Sequence, residues 1–283
     1  MKVLVTGAKG QLGFDVVKEL SLSNIEVFAF GRDELDITNQ GAVQYIIRDI
    51  RPDVIIHAAA YTKVDQAETD QEQAYLVNAF GTRNVAVAAA SVGAKLCYIS
   101  TDYVFDGKGE SPYHEYSQTN PLNIYGHSKY VGEEMVKTLS LKYFIVRTAW
   151  VYGKHGNNFV KTMLKLAKEK QELGVVQDQI GSPTYTVDLA KFLVELIQTE
   201  KYGIYHCTNT GYCSWYEFAK AIFEEANIDV NVKPLTTLEF PRPAPRPAYS
   251  VLGNMAIRVN GFTELRHWKE ALKSFLKELG QPS

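Results

Sequence analysis

The sequence predicts an α/β protein built on a doubly wound parallel sheet, with a smaller, mostly helical C-terminal domain. Three observations predict it. Short β-rich runs alternate with helical stretches through the first half, a glycine-rich turn joins the first run to the first helical stretch, and after about residue 150 the texture changes to loops and helices. Strands alternating with helices of this length argue for βαβ units and a parallel sheet. Right-handed crossovers then wind the sheet in both directions and leave ligands at the carboxyl ends of the strands.

The elements follow in order. Residues 2–6 read as a strand, 11–20 as a helix and 26–30 as a second strand. Residues 38–48 read as helical. Residues 54–58 read as a third strand, apolar but for His57, as suits a strand buried on both faces. An Ala-rich stretch, 72–91, reads as one long helix. A fourth strand follows at 95–100, a helix at 125–139 and a fifth strand at 143–147. Beyond Trp150, residues 151–158 form a loop, 158–170 a helix, 181–184 a turn, 188–198 a helix and 203–207 a short strand. Ser214, with Glu217 three residues on, has the spacing of a capping box for a helix over 214–226. The proline-rich stretch 241–247 continues neither a helix nor a central strand and reads as an extended loop. Leu265, Trp268, Leu272, Phe275, Leu276 and Leu279 fall on one helical stripe, which predicts a packing helix at the C-terminal end. These runs divide the chain into a first domain, residues 1–150, to which part of 187–213 returns, and a second, residues 151–283.

Composition narrows the partners. The 283 residues are 46% hydrophobic and 22% charged, enough for a substantial core. A formal net charge of −2 gives no basic excess to track nucleic acid. No apolar run reaches the roughly 20 residues that span a bilayer, so no membrane is expected. The first residues enter a glycine loop without a signal-peptide pattern. Three scattered cysteines, Cys97, Cys207 and Cys213, suit buried thiols in a reducing cytoplasm rather than a disulfide framework. No His, Cys or carboxylate cluster has metal-ligand spacing.

The glycine loop carries the cofactor expectation. Gly7, Gly10 and Gly13 follow a strand and open a helix, the context of a Rossmann-like turn. Glycines let the backbone approach a pyrophosphate, and the helix N-terminus offers free N–H groups and a positive dipole end. At the end of the second strand stands Phe30-Gly31-Arg32. Arg32, helped by Lys9, suits a 2′-phosphate, which favours NADP. Asp33 and Asp36, just beyond, are the acids that would serve NAD instead, so NAD is also accepted on this reading.

Tyr125 and Lys129 are four apart, on one helical face. A phenol titrates near 10 in water, too high for ready proton exchange at neutral pH, and a nearby ammonium is expected to lower it. Tyr125 is then a general acid for a ketone or a base for an alcohol. Lys129 can also reach the nicotinamide ribose. Thr101, at the end of the fourth strand, can donate to the same carbonyl oxygen. His127 faces elsewhere.

Taken together, residues 5–13, 57–68, 100–107, 125–129, 147–153, 181–184 and 246–250 resemble the extended short-chain dehydrogenase/reductases, and within them the family of dTDP-4-dehydrorhamnose reductases. The first and fourth stretches mark the broad family; the second, third and fifth are more specific. The resemblance implies that Gly10, Gln11 and Leu12 touch the pyrophosphate and that Asp36 and Ile37 lie beside the adenine. It implies that Ala59, Ala60, Tyr61 and Thr62 line the cofactor, that Thr101 and Asp102 hold the sugar, and that Val64 and Trp150 pack on the hexose. The implied partner is a dTDP-sugar, reduced at its 4-keto carbon, with the nucleotide held by the second domain. Arg242 and Arg246 are expected at the diphosphate from charge and position. Some members bind magnesium through acidic residues at a homodimer contact. Asp15 stands at one such position, where glutamate is common; it reads equally as a first-turn carboxylate favoured by the helix dipole.

Two other functions fit the same fold. A nucleotide-sugar dehydratase or epimerase would hold NAD and oxidise the sugar transiently, but the resembling dehydratases carry a second carboxylate where this chain has Tyr103 after Asp102. An NADP-binding regulatory subunit is the other, and the intact Tyr125–Lys129 pair argues against it.

Overall fold

The computed structural model describes residues 1–281. Its centre is a six-stranded parallel sheet made of β1 (Lys2–Thr6), β2 (Glu26–Phe30), β3 (Val54–His57), β4 (Lys95–Thr101), β5 (Tyr143–Thr148) and the strand Gly203–His206. The spatial order is Gly203–His206, β5, β4, β3, β1, β2. From β1 the chain builds outward on one side to β2 and on the other through β3, β4 and β5, which is the doubly wound, Rossmann-like arrangement. Every residue of β3 is buried, because helices cover both faces there. β2, at the edge, is only partly buried.

Each face of the sheet has its own core. On one, Val16 and Leu20 from the helix Gln11–Ser21 meet Leu189 and Leu193 from the helix Thr186–Leu196. On the other, Ile47, Val85, Ala89 and Val136 pack against Leu4, Ile55 and Leu96. A third core, apart from the sheet, gathers Tyr152, Val160, Phe218, Ile222, Trp268, Leu272 and Phe275. Its helices are Phe159–Leu166, Trp215–Glu225 and Trp268–Glu278.

Helix starts follow side-chain caps. Asn39, Asn123 and Asn158 accept from the backbone N–H three residues on, at 3.0, 2.8 and 3.1 Å. The Ser214–Glu217 capping box is present. Leu265 precedes the last helix and packs with Phe262 and Leu193 instead of joining its stripe. The stretch read as a helix over 158–170 stops its α-helical part at Leu166. The turn at 181–184 is framed by two short strands, Ile180–Gly181 and Thr184–Tyr185.

Several features were not expected. The stretch read as a loop over 151–158 opens with a short strand, Val151–Tyr152, paired in parallel with Thr184–Tyr185. The Ala-rich helix is not uniform: Gln71–Tyr75 and Thr82–Val92 are α-helical, but Leu76–Gly81 between them is π-helical. Two further strands, Glu172–Val176 and Asn231–Leu235, pair in parallel away from the main sheet. Pro234 is tolerated there because the pair has open edges.

The helix that carries Tyr125 and Lys129, Ile124–Leu139, is bound to the sheet by a buried ion pair. Arg147 of β5 donates from Nε and Nη2 to the two Glu133 oxygens at 2.9 and 2.7 Å. Ser100 of β4 donates to the same carboxylate at 2.6 Å. Glu133 is 0% exposed and Arg147 1%. Arg147→Ala leaves a buried carboxylate without its partner, so it should lower stability by about 3–5 kcal/mol. Urea unfolding with intrinsic fluorescence checks this, and a loss below about 1 kcal/mol would contradict the structural weight given to the pair.

Candidate functional site

The glycine loop lies at the carboxyl end of β1. Gly7 has φ +68°, and a side chain there would place Cβ 2.6 Å from the Ala59 nitrogen. At Gly13 a Cβ would stand 2.1 Å from the Gly7 carbonyl. Gly10 caps the following helix and has no side chain to occupy its first N–H groups. The result is a bare, positively polarised cradle that fits a pyrophosphate at Gly10, Gln11 and Leu12. The side chain of Gln11 is committed elsewhere: it donates to the Val151 carbonyl at 3.0 Å and accepts from Asn158 at 2.8 Å.

The end of β2 differs from expectation. Arg32 and Asp33 are exposed. Asp36 is also exposed and accepts from the Thr38 nitrogen at 2.9 Å, closing a local turn. Ile37 is buried, with its carbonyl held by Asn84 at 3.0 Å. The carboxylate that returns to the strand end is Glu34, which accepts from the Gly31 nitrogen at 2.6 Å and pairs with Lys9 at 2.7 Å.

At the end of β3, Ala59, Ala60 and Tyr61 are half-buried and Thr62 is exposed. Asn78, in the π-helical stretch, grips Tyr61 from both sides, accepting from its nitrogen at 2.8 Å and donating to its carbonyl at 3.1 Å. It also donates to Ser128 at 3.0 Å, on the helix of Tyr125 and Lys129. Sequence reasoning missed Asn78, because nothing in the Ala-rich stretch marks it.

Thr101, Asp102, Tyr125 and Lys129 converge at the end of β4. Thr101 donates to Asp102 at 3.1 Å, and Asp102 is 2% exposed with one carboxyl oxygen lacking a partner. Burial raises its pKa to about 6, with Ser250 and Thr101 holding it down. Gly126 lets the helix start this close: its Cβ would stand 2.2 Å from the Tyr103 carbonyl. The Tyr103 ring meets that of Tyr125 edge-on at 5.6 Å. His127 points outward to Tyr75, 2.8 Å away.

The charge states depart from expectation. Burial pushes the Tyr125 phenol up to about 12, with the Thr101 hydroxyl pulling it partly back. The expected lowering by Lys129 is absent: desolvation leads, and the Asp102 charge adds to it. Lys129 turns inward, donating to the Ile99 carbonyl at 2.6 Å and lying 4.1 Å from the centre of the Tyr98 ring. Burial lowers its own pKa to about 7, and Glu133 one turn on holds it up.

On the opposite wall, Trp150 has φ +46° and stacks on Trp215 at 3.5 Å. Gly181 lies under it, where a Cβ would meet the indole at 2.5 Å. Trp215, which the sequence did not single out, thus sets the Trp150 ring plane. Val64 is half-buried at the start of the helix Val64–Ala67. The next residue, Asp65, receives both expected arginines: Arg242 donates from Nε at 3.1 Å and also from Nη2, and Arg246 pairs at 2.9 Å. The two guanidiniums are brought together, as expected, but around an internal carboxylate.

Asp15 is not a first-turn residue. The helix begins at Gln11, so Asp15 lies a turn inside, 4% exposed. Burial raises its pKa, with Thr186 acting against that, so desolvation rather than the helix dipole governs it. Among the described residues no group of three or more His, Cys, Asp or Glu side chains is arranged to hold a metal ion, and no helix is long and apolar enough to cross a membrane.

A lysine pKa that falls from 10.5 to about 7 on folding has a pH signature. Between those values the unfolded chain binds more protons, so Lys129 makes the fold more stable as pH rises. The stability difference between wild type and Lys129→Met should therefore grow in favour of wild type from pH 7 to 9, by on the order of 1–2 kcal/mol. Denaturant titrations at both pH values check this; parallel curves would place Lys129 outside the buried state described.

Comparison with known proteins places the chain in a family. The model of the RmlD substrate binding domain family matches residues 1–281. The spore coat polysaccharide biosynthesis protein SpsK of Bacillus subtilis is 48% identical over 277 residues, 98% of this chain and 97% of that protein. The dTDP-4-dehydrorhamnose reductase of Aggregatibacter actinomycetemcomitans is 46% identical over 287 residues, 96% of this chain and 97% of that protein. The crystal structure of dTDP-4-dehydrorhamnose reductase from Bacillus anthracis in complex with NADP superposes with a TM-score of 0.96 at 55% identity, covering 98% of this chain and 99% of that one. From its glycine cradle to its last helix, this chain belongs to the RmlD substrate binding domain family.

Proposed function

We propose that this chain reduces the 4-keto group of dTDP-4-dehydro-L-rhamnose to dTDP-L-rhamnose with NADPH, in nucleotide-sugar synthesis for cell-surface polysaccharide. The observation that carries the reading is the convergence of Tyr125, Thr101, Asp102 and the buried Lys129 at the end of β4, beside a cradle that fits a dinucleotide. Full-length relatives named dTDP-4-dehydrorhamnose reductase, one of them in complex with NADP, support it.

Residues 1–150, with part of 187–213, hold the cofactor on this reading, and the remainder mainly holds the substrate. The reduced nicotinamide supplies the hydride when bound. Thr101 and Tyr125 donate hydrogen bonds to the ketone oxygen, and Tyr125 gives up its proton as negative charge develops there. A phenol held at about 12 keeps that proton at neutral pH, which suits the reductive direction. Lys129, released from the Ile99 carbonyl toward the ribose hydroxyls and the phenol, stabilises the phenolate that is left. Asp102 orients the sugar. With Tyr103 beside it in place of a second carboxylate, the site lacks the acid pair for elimination. Val64 and Trp150 pack against the hexose. Arg242 and Arg246 exchange the Asp65 oxygens for those of the diphosphate. Three free, buried thiols suit a reducing cytoplasm.

Tyr125→Phe should lower kcat for NADPH-dependent reduction by roughly two to four orders of magnitude while NADPH still binds. A near-normal rate would remove Tyr125 from the mechanism. Arg242→Gln with Arg246→Gln should raise KM for the sugar nucleotide and spare that for NADPH. An unchanged KM for the sugar nucleotide would place the diphosphate elsewhere.

A further inference from the structure

The proline-rich segment 241–247, which carries Arg242 and Arg246, is tied to the start of the Tyr125 helix by one buried amide. Asn123 is 5% exposed and stands two residues before Tyr125. Its Oδ1 accepts from the Gly126 nitrogen at 2.8 Å and caps the helix. Its Nδ2 donates to the Pro245 carbonyl at 2.8 Å, between the two arginines. Turning the amide over would set donor against donor at one end and oxygen against oxygen at the other, so the two bonds fix its orientation. A second bridge runs beside it through the helix Val64–Ala67. Asp65 takes Arg242, Arg246 and the Ala244 nitrogen. Glu68, just beyond that helix, accepts from the Ile124 nitrogen at 2.9 Å. Among the described residues, every hydrogen bond from 241–247 to another part of the chain goes to Asp65 or Asn123.

From this arrangement we infer that Asn123 is a positioning residue for the reaction: its one amide sets the spacing between the Tyr125 helix and the arginines that receive the diphosphate. The inference rests on the proposed roles of Tyr125 as proton donor and of Arg242 and Arg246 as diphosphate ligands. On that reading the arginines leave Asp65 when substrate binds, whereas the bond from Asn123 to a backbone carbonyl needs no such exchange. Prolines at 241, 243, 245 and 247 each fix a backbone angle, so a displacement at Pro245 is carried to Arg246. A sugar nucleotide gripped at its diphosphate and reduced at its sugar turns an error in that spacing into an error at the ketone.

Asn123→Ser is the direct test, because serine still caps a helix but is too short to hold the Pro245 carbonyl as well. It should lower kcat/KM for the sugar nucleotide by about tenfold. The NADPH dissociation constant, from fluorescence titration, should stay within about twofold of wild type and reports an intact fold. Made on top of Arg242→Gln with Arg246→Gln, the same substitution should cost less than about threefold, because the segment no longer grips the diphosphate. Asn123→Asp, also a cap and also without the donor, should repeat the loss and serves if the serine variant does not fold. Wild-type kcat/KM in either variant overturns the inference. So does an equal loss with and without the arginines, which would assign Asn123 to the helix start alone; both results leave the proposed function standing. If the arginine substitutions by themselves leave KM unchanged, the diphosphate assignment falls and the inference falls with it.

Discussion

The carboxylate of Glu133 is the point on which the geometry of the site depends. It takes hydrogen bonds from Arg147 on β5 and Ser100 on β4, so it joins one helix to two adjacent strands. That helix presents Lys129 one turn before Glu133 and Tyr125 a further turn before that. The residue after Ser100 is Thr101. Phenol, ammonium and threonine hydroxyl are thus positioned by a single buried anion. A buried ion pair adds little net stability compared with a well-packed apolar substitute. Its contribution here is direction, since each donor has one place to go.

Burial then governs the chemistry more than pairwise charge does. Tyr125, Lys129 and Asp102 all shift toward their neutral forms, each with desolvation as the leading cause. At neutral pH the Tyr125 phenol keeps its proton, whereas Asp102, at about 6, is mostly ionised. Charge developing on a bound ketone oxygen would meet a phenol still holding its proton. Away from that cluster Arg242 and Arg246 converge on Asp65, whose negative charge offsets the repulsion between the two cations.

Much of this was readable in the sequence, and the exceptions have physical reasons. Strands buried on both faces give continuous apolar runs, so β1, β3 and β4 were clear. Glycine spacing gave the cradle, and the four-residue interval gave the Tyr125–Lys129 face. Glu133 continues that interval but looks like any helical glutamate until Arg147 is seen to be buried opposite it. Glu34 was passed over in favour of Asp33 and Asp36 because only the fold shows which carboxylate bends back to Gly31. The strand pair Glu172–Val176 and Asn231–Leu235 carries Gly174 and Pro234, residues that weaken a strand signal. The pKa of Tyr125 went the other way because spacing reveals a neighbour but not the loss of water around it.

The π-helical stretch Leu76–Gly81 has a consequence for the helix as a whole. A wider turn shifts the angular phase of everything after it, so Gln71–Tyr75 and Thr82–Val92 do not share one stripe. Asn78, within the stretch itself, faces the end of β3 and the Tyr125 helix, while Thr82–Val92 packs Val85 and Ala89 into the sheet core. Removing one residue from the stretch would give a more regular helix and a worse protein, because either the core face or the grip on Tyr61 would have to rotate away. The local irregularity allows one rod to serve two surfaces that a uniform helical period would set out of register.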